Sequence, residues 1–211
     1  MCDVGSDHGL LPLYLLKEGL CSGVLVTDLN PKPLERAKRA FGECGLTKNV
    51  FFLQADGIPE PKESLRPNAY VIAGMGGETI SGILSRALKT ISPETFFVFQ
   101  PMTRSSYLRR FLYENGFRVQ AERVVCENGK FFLIFSAVFD GICRVNPETF
   151  YFLGEFLPKS ADRNTRFYLE KKLQQIRNKK QGKEKAKICA SEEEKQMEQI
   201  LSVLEKNYEN S

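Results

Sequence analysis

Short apolar runs alternate with helical stripes over the first half of the chain, and that rhythm stops near Gly116. Met1–Val4 reads as the end of a buried strand, and Val24–Asp28, the run from Val50 to Gly57, Ala69–Ala73 and Phe96–Phe99 read as further strands. Between them the period lengthens to that of helices. Leu10–Leu16 carries Pro12 in its first turn and Gly19 as its stop, and the helix after Pro31-Lys32-Pro33 keeps Leu34, Ala37, Phe41 and Cys44 on one face. Ile80, Ile83, Leu84 and Ala87 form a third stripe. A fourth buries Leu108, Phe111 and Leu112 and is expected to expose Arg104, Arg109 and Arg110. Pro59, Pro61 and Pro67 mark the linker between the third and fourth strands. Two long strands then follow directly, Phe117–Cys126 and Phe131–Phe139, joined through Asn128-Gly129, a strong hairpin signal. The pattern predicts an α/β fold: a parallel sheet of Rossmann-like type closed by an antiparallel hairpin.

Beyond Phe139 the character changes, through Asn146-Pro147 and the aromatic patch Phe150-Tyr151-Phe152, into charged helical sequence. Phe167, Leu169, Leu173 and Ile176 make one loose stripe, and Met197, Ile200, Leu201 and Leu204 another after a capping box from Ser191 to Glu194. Two antiparallel helices joined near Gly182 are the simplest reading. This predicts domains at 1–145 and 146–211. Lys159 to Lys187 holds eleven basic and three acidic residues, a cluster that fits either a solvated helix face or phosphate contacts.

Composition narrows the chemistry. With 42% hydrophobic residues the 211-residue chain can bury a core, and no apolar run reaches the roughly 18 to 20 residues of a membrane span. No signal peptide opens the chain, so a cytoplasmic location is expected. Net charge is a mild +4, which requires any acidic partner to meet a local patch. The six cysteines lack a C-x-x-C pair and read as reduced packing residues; with His8 the one histidine, no histidine metal centre is expected. No obligate protein partner is expected either.

The candidate site starts at the first apolar run. Asp3-Val4-Gly5-Ser6-Asp7-His8-Gly9 is a polar glycine loop between strand and helix, where open α/β sheets bind ligands. Its spacing departs from the dinucleotide fingerprint because Asp7 stands at the middle glycine. A carboxylate there opposes a pyrophosphate but suits an amine and a sulfonium, which points to S-adenosylmethionine rather than NAD. Asp28 ends the second strand, where an acid can accept both ribose hydroxyls. Asp56-Gly57 ends the third, where an acid can accept the amino hydrogens of adenine; it is also common turn chemistry. Ala73-Gly74-Met75 leaves the fourth strand toward the same crevice. The candidate cofactor set is therefore Asp3, Gly5, Ser6, Asp7, His8, Gly9, Asp28, Leu29, Asp56, Gly57, Ala73, Gly74 and Met75. Asp7 and His8 are the candidate catalytic pair.

Asp3-Val4-Gly5-Ser6-Asp7-His8-Gly9 with Leu11-Pro12, Ile72-Ala73-Gly74-Met75-Gly76-Gly77 and Gln100-Pro101 together resemble the bacterial tRNA (adenine-N1)-methyltransferases that modify position 22, the TrmK family. The resemblance runs over essentially the whole chain. It implies a class I S-adenosylmethionine-dependent methyltransferase domain, a coiled-coil-like C-terminal helical hairpin and tRNA as substrate. Arg104, Arg109 and Arg110 beside the crevice, with Arg163, Arg166, Lys171 and Lys172 on the tail, become the expected tRNA contacts. Two departures stand out: the family's N-terminal helix is expected to be missing, and Met102 follows Gln100-Pro101 where a polar Asn is expected. Two other readings stay open, a methyltransferase of a small molecule or protein and a non-catalytic RNA-binding protein on the same fold.

Overall fold

The computed structural model describes residues 1–60 and 66–208, so Pro61 of the expected linker lies outside the described residues. Strand and helix alternate as β1 (Cys2–Val4), α1 (Leu10–Lys17), β2 (Val24–Asp28), α2 (Pro31–Glu43), β3 (Val50–Gln54), β4 (Ala69–Gly76), α3 (Gly77–Ala87), β5 (Phe96–Thr103) and α4 (Ser105–Glu114). The hairpin β6 (Phe117–Glu127) and β7 (Lys130–Phe139) follows. After it come α5 (Glu148–Leu153), a single 3-10 turn (Leu157–Lys159), α6 (Arg163–Lys185) and α7 (Ser191–Tyr208).

The seven described strands form one sheet in the order β3-β2-β1-β4-β5-β7-β6. β1 pairs in parallel with both β2 and β4, with Val4 opposite Thr27 and Ile72, while β7 runs antiparallel to β5. The order reverses at β1, so the crevice at its carboxyl end is the topological switch point of the sheet. Asn128 and Gly129 have φ of 50° and 73°, the left-handed pair that a tight hairpin turn requires. β4 and β5 run further than their apolar cores, and their pairing shifts register between Ala73 and Met75, which turns the end of β4 toward the crevice.

Contacts divide the chain into two compact units, Met1–Gln120 with Phe135–Val145, and Ala121–Ile134 with the chain from Asn146 onward. In the first, Val24 and Val26 of β2 pack on Leu34, Ala37 and Phe41 of α2. A ladder of rings, Tyr70 on Phe97 and Phe97 on Phe99 and Phe117, fills the sheet's other half at centroid spacings of 5.3 to 5.5 Å. α1 buries only Pro12 and leaves Leu10, Leu11 and Tyr14 exposed.

In the second unit, Leu169, Leu173 and Ile176 of α6 meet Ile200 of α7 and Phe152 of α5. Tyr208 at the end of α7 donates to Ser160 O at 2.7 Å, beside the start of α6, so the two long helices are antiparallel. Their joint is not at Gly182, which lies inside α6; the helix runs on to Lys185, and Lys187 makes the turn at φ 57°. A lone glycine costs a helix only about 1 kcal/mol, less than the packing stripe supplies. Nor is Ser191 a cap: Glu194 N–H already donates to Ala190 O, which makes Ser191 the first helical residue. The cap that does form is Asp162, whose carboxylate accepts from Thr165 N–H at 3.0 Å at the start of α6.

The packing role expected of the cysteines fails for most of the set, although all six are free. Cys2 is buried and Cys21 half-buried, but Cys44, Cys126, Cys143 and Cys189 are exposed: Cys44 follows the end of α2, Cys126 lies at the hairpin end of β6, and Cys143 and Cys189 lie in connecting segments.

Glu193 is fully buried near the helical joint, 2.8 Å from both Lys179 and Lys183. Their donated hydrogen bonds hold its carboxyl down to about 2 from an ordinary 4.5. A depressed folded-state pKa gives stability that is present above the unfolded value and is lost as pH falls through the folded one. Helicity should therefore hold at pH 6 and decline between about pH 4.5 and pH 2. Circular dichroism of Glu193→Gln beside the parent checks this: the variant is weaker at pH 6 and the gap closes toward pH 2, whereas a constant gap sinks the assignment.

Candidate functional site

β1 ends in a loop held first by backbone bonds. Gly5 and Ser6 N–H both donate to Thr27 O, at 2.9 and 3.1 Å, which ties the loop to the end of β2. Gly5 has φ 70°, and a Cβ added there would lie 2.1 Å from Met75 Cε. The left-handed turn is what requires the glycine, since the flexible Met75 side chain could swing away from an added methyl. Asp7 also sits at positive φ, 49°, a conformation that a short polar side chain tolerates.

The loop opens onto a cleft of about 840 Å³ at the carboxyl ends of the parallel strands, within the size range of cofactor sites. Of the expected set, Asp3, Gly5, Ser6, Asp7, His8, Asp28, Leu29, Asp56, Gly57, Ala73, Gly74 and Met75 line it. Gly9 does not. It is buried against α2, where a Cβ would meet Ala37 Cβ at 2.8 Å, so its role is to let α1 and α2 approach.

Four carboxylates face the cleft in different environments. Asp3, on the floor, is pushed up to about 6 by burial, partly offset by the hydrogen bond that Ser6 Oγ donates. Asp28 accepts from Asn30 N–H at 2.9 Å and, more weakly, from Asp7 N–H at 3.4 Å. Among the described residues no cation pairs with it, so its remaining lone pairs are available to hydroxyl donors. Asp56 lies 2.9 Å from Arg86 Nη2, and Asp7 lies 3.4 Å from both Arg36 Nη1 and His8 Nε2. Arg36 Nη1 is also 3.3 Å from His8 Nε2, so the three side chains form one polar cluster at the mouth.

The sequence reading missed Arg36 and Arg86. No signal near either residue could have found it: each is a cation on the exposed face of its helix, away from the buried stripe, where cations are ordinary. It also missed Gln100 as a support. Gln100 Oε1 accepts from Gly74 N–H at 3.0 Å and pins the irregular stretch of β4 between Ala73 and Met75, while its Nε2 donates weakly to Met102 Sδ at 3.5 Å. That contact is what the methionine at 102 makes.

The expected RNA contacts divide. Arg109 is not exposed: it is fully buried, with its guanidinium 5.0 Å from the Phe135 ring centroid. Leu108, Arg109 and Leu112 share the inward face of α4, so the helix period carries this arginine into the core despite its charge. Phe111, expected inside, is half-buried for the same geometric reason. Arg104 remains exposed, 3.8 Å from Glu78, and Arg110 is half-exposed beside Glu114. On α6, Arg163 and Lys171 are exposed, Arg166 pairs with Glu170 at 2.9 Å, and Lys172 is half-buried over the Phe152 ring at 4.4 Å. Among the described residues no His, Cys, Asp and Glu group is placed to hold a metal, and no helix is long and apolar enough to cross a membrane.

Comparison with known proteins gives this arrangement a context. Residues 1–135 match the family model described as a methyltransferase domain. The chain is 30% identical over 149 residues to a tRNA (adenine(22)-N(1))-methyltransferase of Bacillus subtilis (strain 168), covering 67% of this chain and 62% of that protein. It is 33% identical over 136 residues to a putative tRNA methyltransferase of Mycoplasma pneumoniae, covering 63% of this chain and 60% of that protein. The chain thus spans about three fifths of the curated relatives it matches. Among solved structures, a protein of the NADB-Rossmann superfamily from Streptococcus agalactiae superposes with a TM-score of 0.85 at 26% identity, covering 96% of this chain and 89% of that one. The Bacillus subtilis M1A22 tRNA methyltransferase TrmK superposes with a TM-score of 0.83 at 24% identity, covering 97% and 91%. A parallel sheet reversing at β1, an acid-lined cleft at that switch point and a family match over more than half the residues agree: the chain belongs to the methyltransferase domain family, as a relative of the tRNA (adenine(22)-N(1))-methyltransferases.

Proposed function

We propose that this protein transfers a methyl group from S-adenosylmethionine to N1 of an adenine in tRNA, with position 22 indicated by its curated relative. The observation that carries the reading is the placement of Asp3, Asp7, Asp28 and Asp56 around one cleft with glycine turns between them. Similar structures support the cofactor, one a Streptococcus pneumoniae protein in complex with S-adenosyl-L-methionine and one a Mycoplasma capricolum TrmK in complex with S-adenosyl-homocysteine.

When bound, the cofactor supplies an electrophilic methyl group on a cationic sulfonium. The chain's own residues then hold, orient and shield. Asp28 would accept the ribose hydroxyls, Asp56, held by Arg86 on one side, would offer a carboxylate oxygen to the adenine amino group, and the Gly5–His8 loop would hold the methionine portion. Adenine N1 already offers a lone pair, so no side chain has to remove a proton. Methylation at N1 would leave the purine cationic, and Asp7, which lines the cleft, would be a carboxylate available to that charge. N1 lies on the Watson–Crick edge, so the target base must be unpaired or extruded to reach the cleft. Arg104, Arg110, Arg163, Arg166, Lys171 and Lys172 remain the proposed phosphate contacts, the helical unit being the tRNA-binding part; Arg109 is withdrawn. A cytoplasmic location follows from the substrate.

Transfer of labelled methyl from S-adenosylmethionine to unmodified tRNA, with nucleosides identified after digestion, tests the proposal. N1-methyladenosine is the expected product. Absence of transfer while S-adenosylhomocysteine still binds would overturn the substrate and leave methylation of a small molecule or protein; a different methylated nucleoside would keep tRNA and overturn adenine N1 as the target.

A further inference from the structure

We infer that the exposed face of α2, carrying Lys32, Arg36 and Arg39, is a contact surface for the RNA backbone that flanks the target nucleotide. The inference rests on the tRNA reading above and adds a surface separate from the helical tail.

α2 buries Leu34, Ala37 and Phe41 toward the sheet, which sends Lys32, Arg36 and Arg39 to the opposite side at spacings of four and three residues. Three cations at these positions span about 10 Å along a helix that rises 1.5 Å per residue. The row begins at the cleft, since Lys32 follows Asn30, a cleft-lining residue, and Arg36 touches both Asp7 and His8 at the mouth. Arg39 continues it one turn further away. A nucleotide that offers its base to this mouth brings its own phosphate and its neighbours to the rim, where the row lies.

Compensation by acids separates this face from the tail helix. On α6, Arg166 pairs with Glu170, Lys179 and Lys183 close on Glu193, and Lys180 pairs with Glu184 and Glu194. Much of that charge is spent inside the hairpin. α2 holds four basic and two acidic residues; Glu35 and Glu43 lie beside the row, yet among the described residues neither Lys32 nor Arg39 makes an ion pair. Ammonium and guanidinium groups left without carboxylate partners beside a cleft are the charges that gain by displacing counterions from a phosphate chain. RNA, rather than an acidic protein, is the polyanion whose reacting group must enter that cleft.

The double variant Lys32→Gln/Arg39→Gln of the full chain is the test, because neither side chain lines the cleft. S-adenosylhomocysteine affinity should stay within about twofold. The tRNA dissociation constant at 0.1 M salt should rise about tenfold, and the slope of log affinity against log salt should fall by about 1 to 2. Glu35→Gln, which removes the acid between the two cations, should instead tighten tRNA binding. Unchanged tRNA affinity and slope in the double variant would overturn the surface and leave a solvated helix face. Loss of salt-dependent tRNA binding already in the parent chain would instead strike the proposed function itself, and this surface with it. If the double variant misfolds by circular dichroism, the single variants carry the test, each expected to remove about half of the slope change.

Discussion

Asp28→Ala should weaken binding of S-adenosylhomocysteine by about 100-fold while leaving the fold intact. Asp28 ends β2 on the cleft wall, and among the described residues its carboxylate is engaged by the Asn30 and Asp7 backbone N–H groups alone. Two ribose hydroxyls donating to it would form charge-assisted hydrogen bonds worth about 1.5 kcal/mol each, and about 1.4 kcal/mol corresponds to a tenfold change in affinity. Truncation also frees two backbone donors that face open solvent, so stability should change little. Calorimetric titration decides the matter. A dissociation constant within about threefold of the parent would remove Asp28 from the cofactor site and move the ribose elsewhere in the cleft. Substitution of Arg86, which touches Asp56 rather than Asp28, offers an internal comparison within the same cleft.

Gly77→Ala should cost the protein about 3 kcal/mol, a large stability loss for the addition of one methyl group. Gly77 starts α3 where β4 and β5 end side by side, and an added Cβ would lie 2.4 Å from Arg104 O and 3.1 Å from Thr103 O. Both obstacles are backbone atoms, so no side chain can rotate away, and overpacking of this kind costs 1 to 3 kcal/mol or somewhat more. Arg104 itself is held at φ 55°, which leaves its peptide little freedom to retreat. For a chain of this size about 3 kcal/mol corresponds to a melting temperature lower by roughly 6 to 12 °C. Gly82→Ala on the same helix is the contrasting case. Its added Cβ would meet only Arg86 Nη1, at 3.8 Å, so that variant should be neutral or slightly more stable. A Gly77→Ala melting temperature within about 2 °C of the parent would show that the β4–α3 turn is looser than its geometry.

Periodicity made much of the architecture legible. The apolar runs at Val24, Ala69 and Phe96 became adjacent parallel strands or their near neighbours, and Asn128-Gly129 became the hairpin turn, because strand burial and turn conformation are encoded by residues close together in the chain. The acids at strand ends were legible for the same reason: a parallel sheet collects the residues after each strand at one edge. What local pattern could not report was which groups meet there. Arg36 and Arg86 reach Asp7 and Asp56 across 29 and 30 positions of sequence, and nothing near either arginine announces its partner.

Arg109 shows the limit most sharply. Its charge favours solvent in the absence of other information, but its place next to Leu108 and one turn before Leu112 puts it on the inward face, over Phe135. Gly9 is the milder case, a loop glycine whose neighbour proved to be Ala37 of the next helix rather than the cleft. By itself, then, the sequence determined the order of elements, the edge at which a ligand must bind and the acidic character of that edge. Tertiary structure alone decided which cations neutralise those acids, which arginine is buried and which glycines line the cleft rather than a helix contact. The physical reason is that backbone propensity and turn chemistry act over a few residues, whereas burial and ion pairing depend on which helix face the sheet receives.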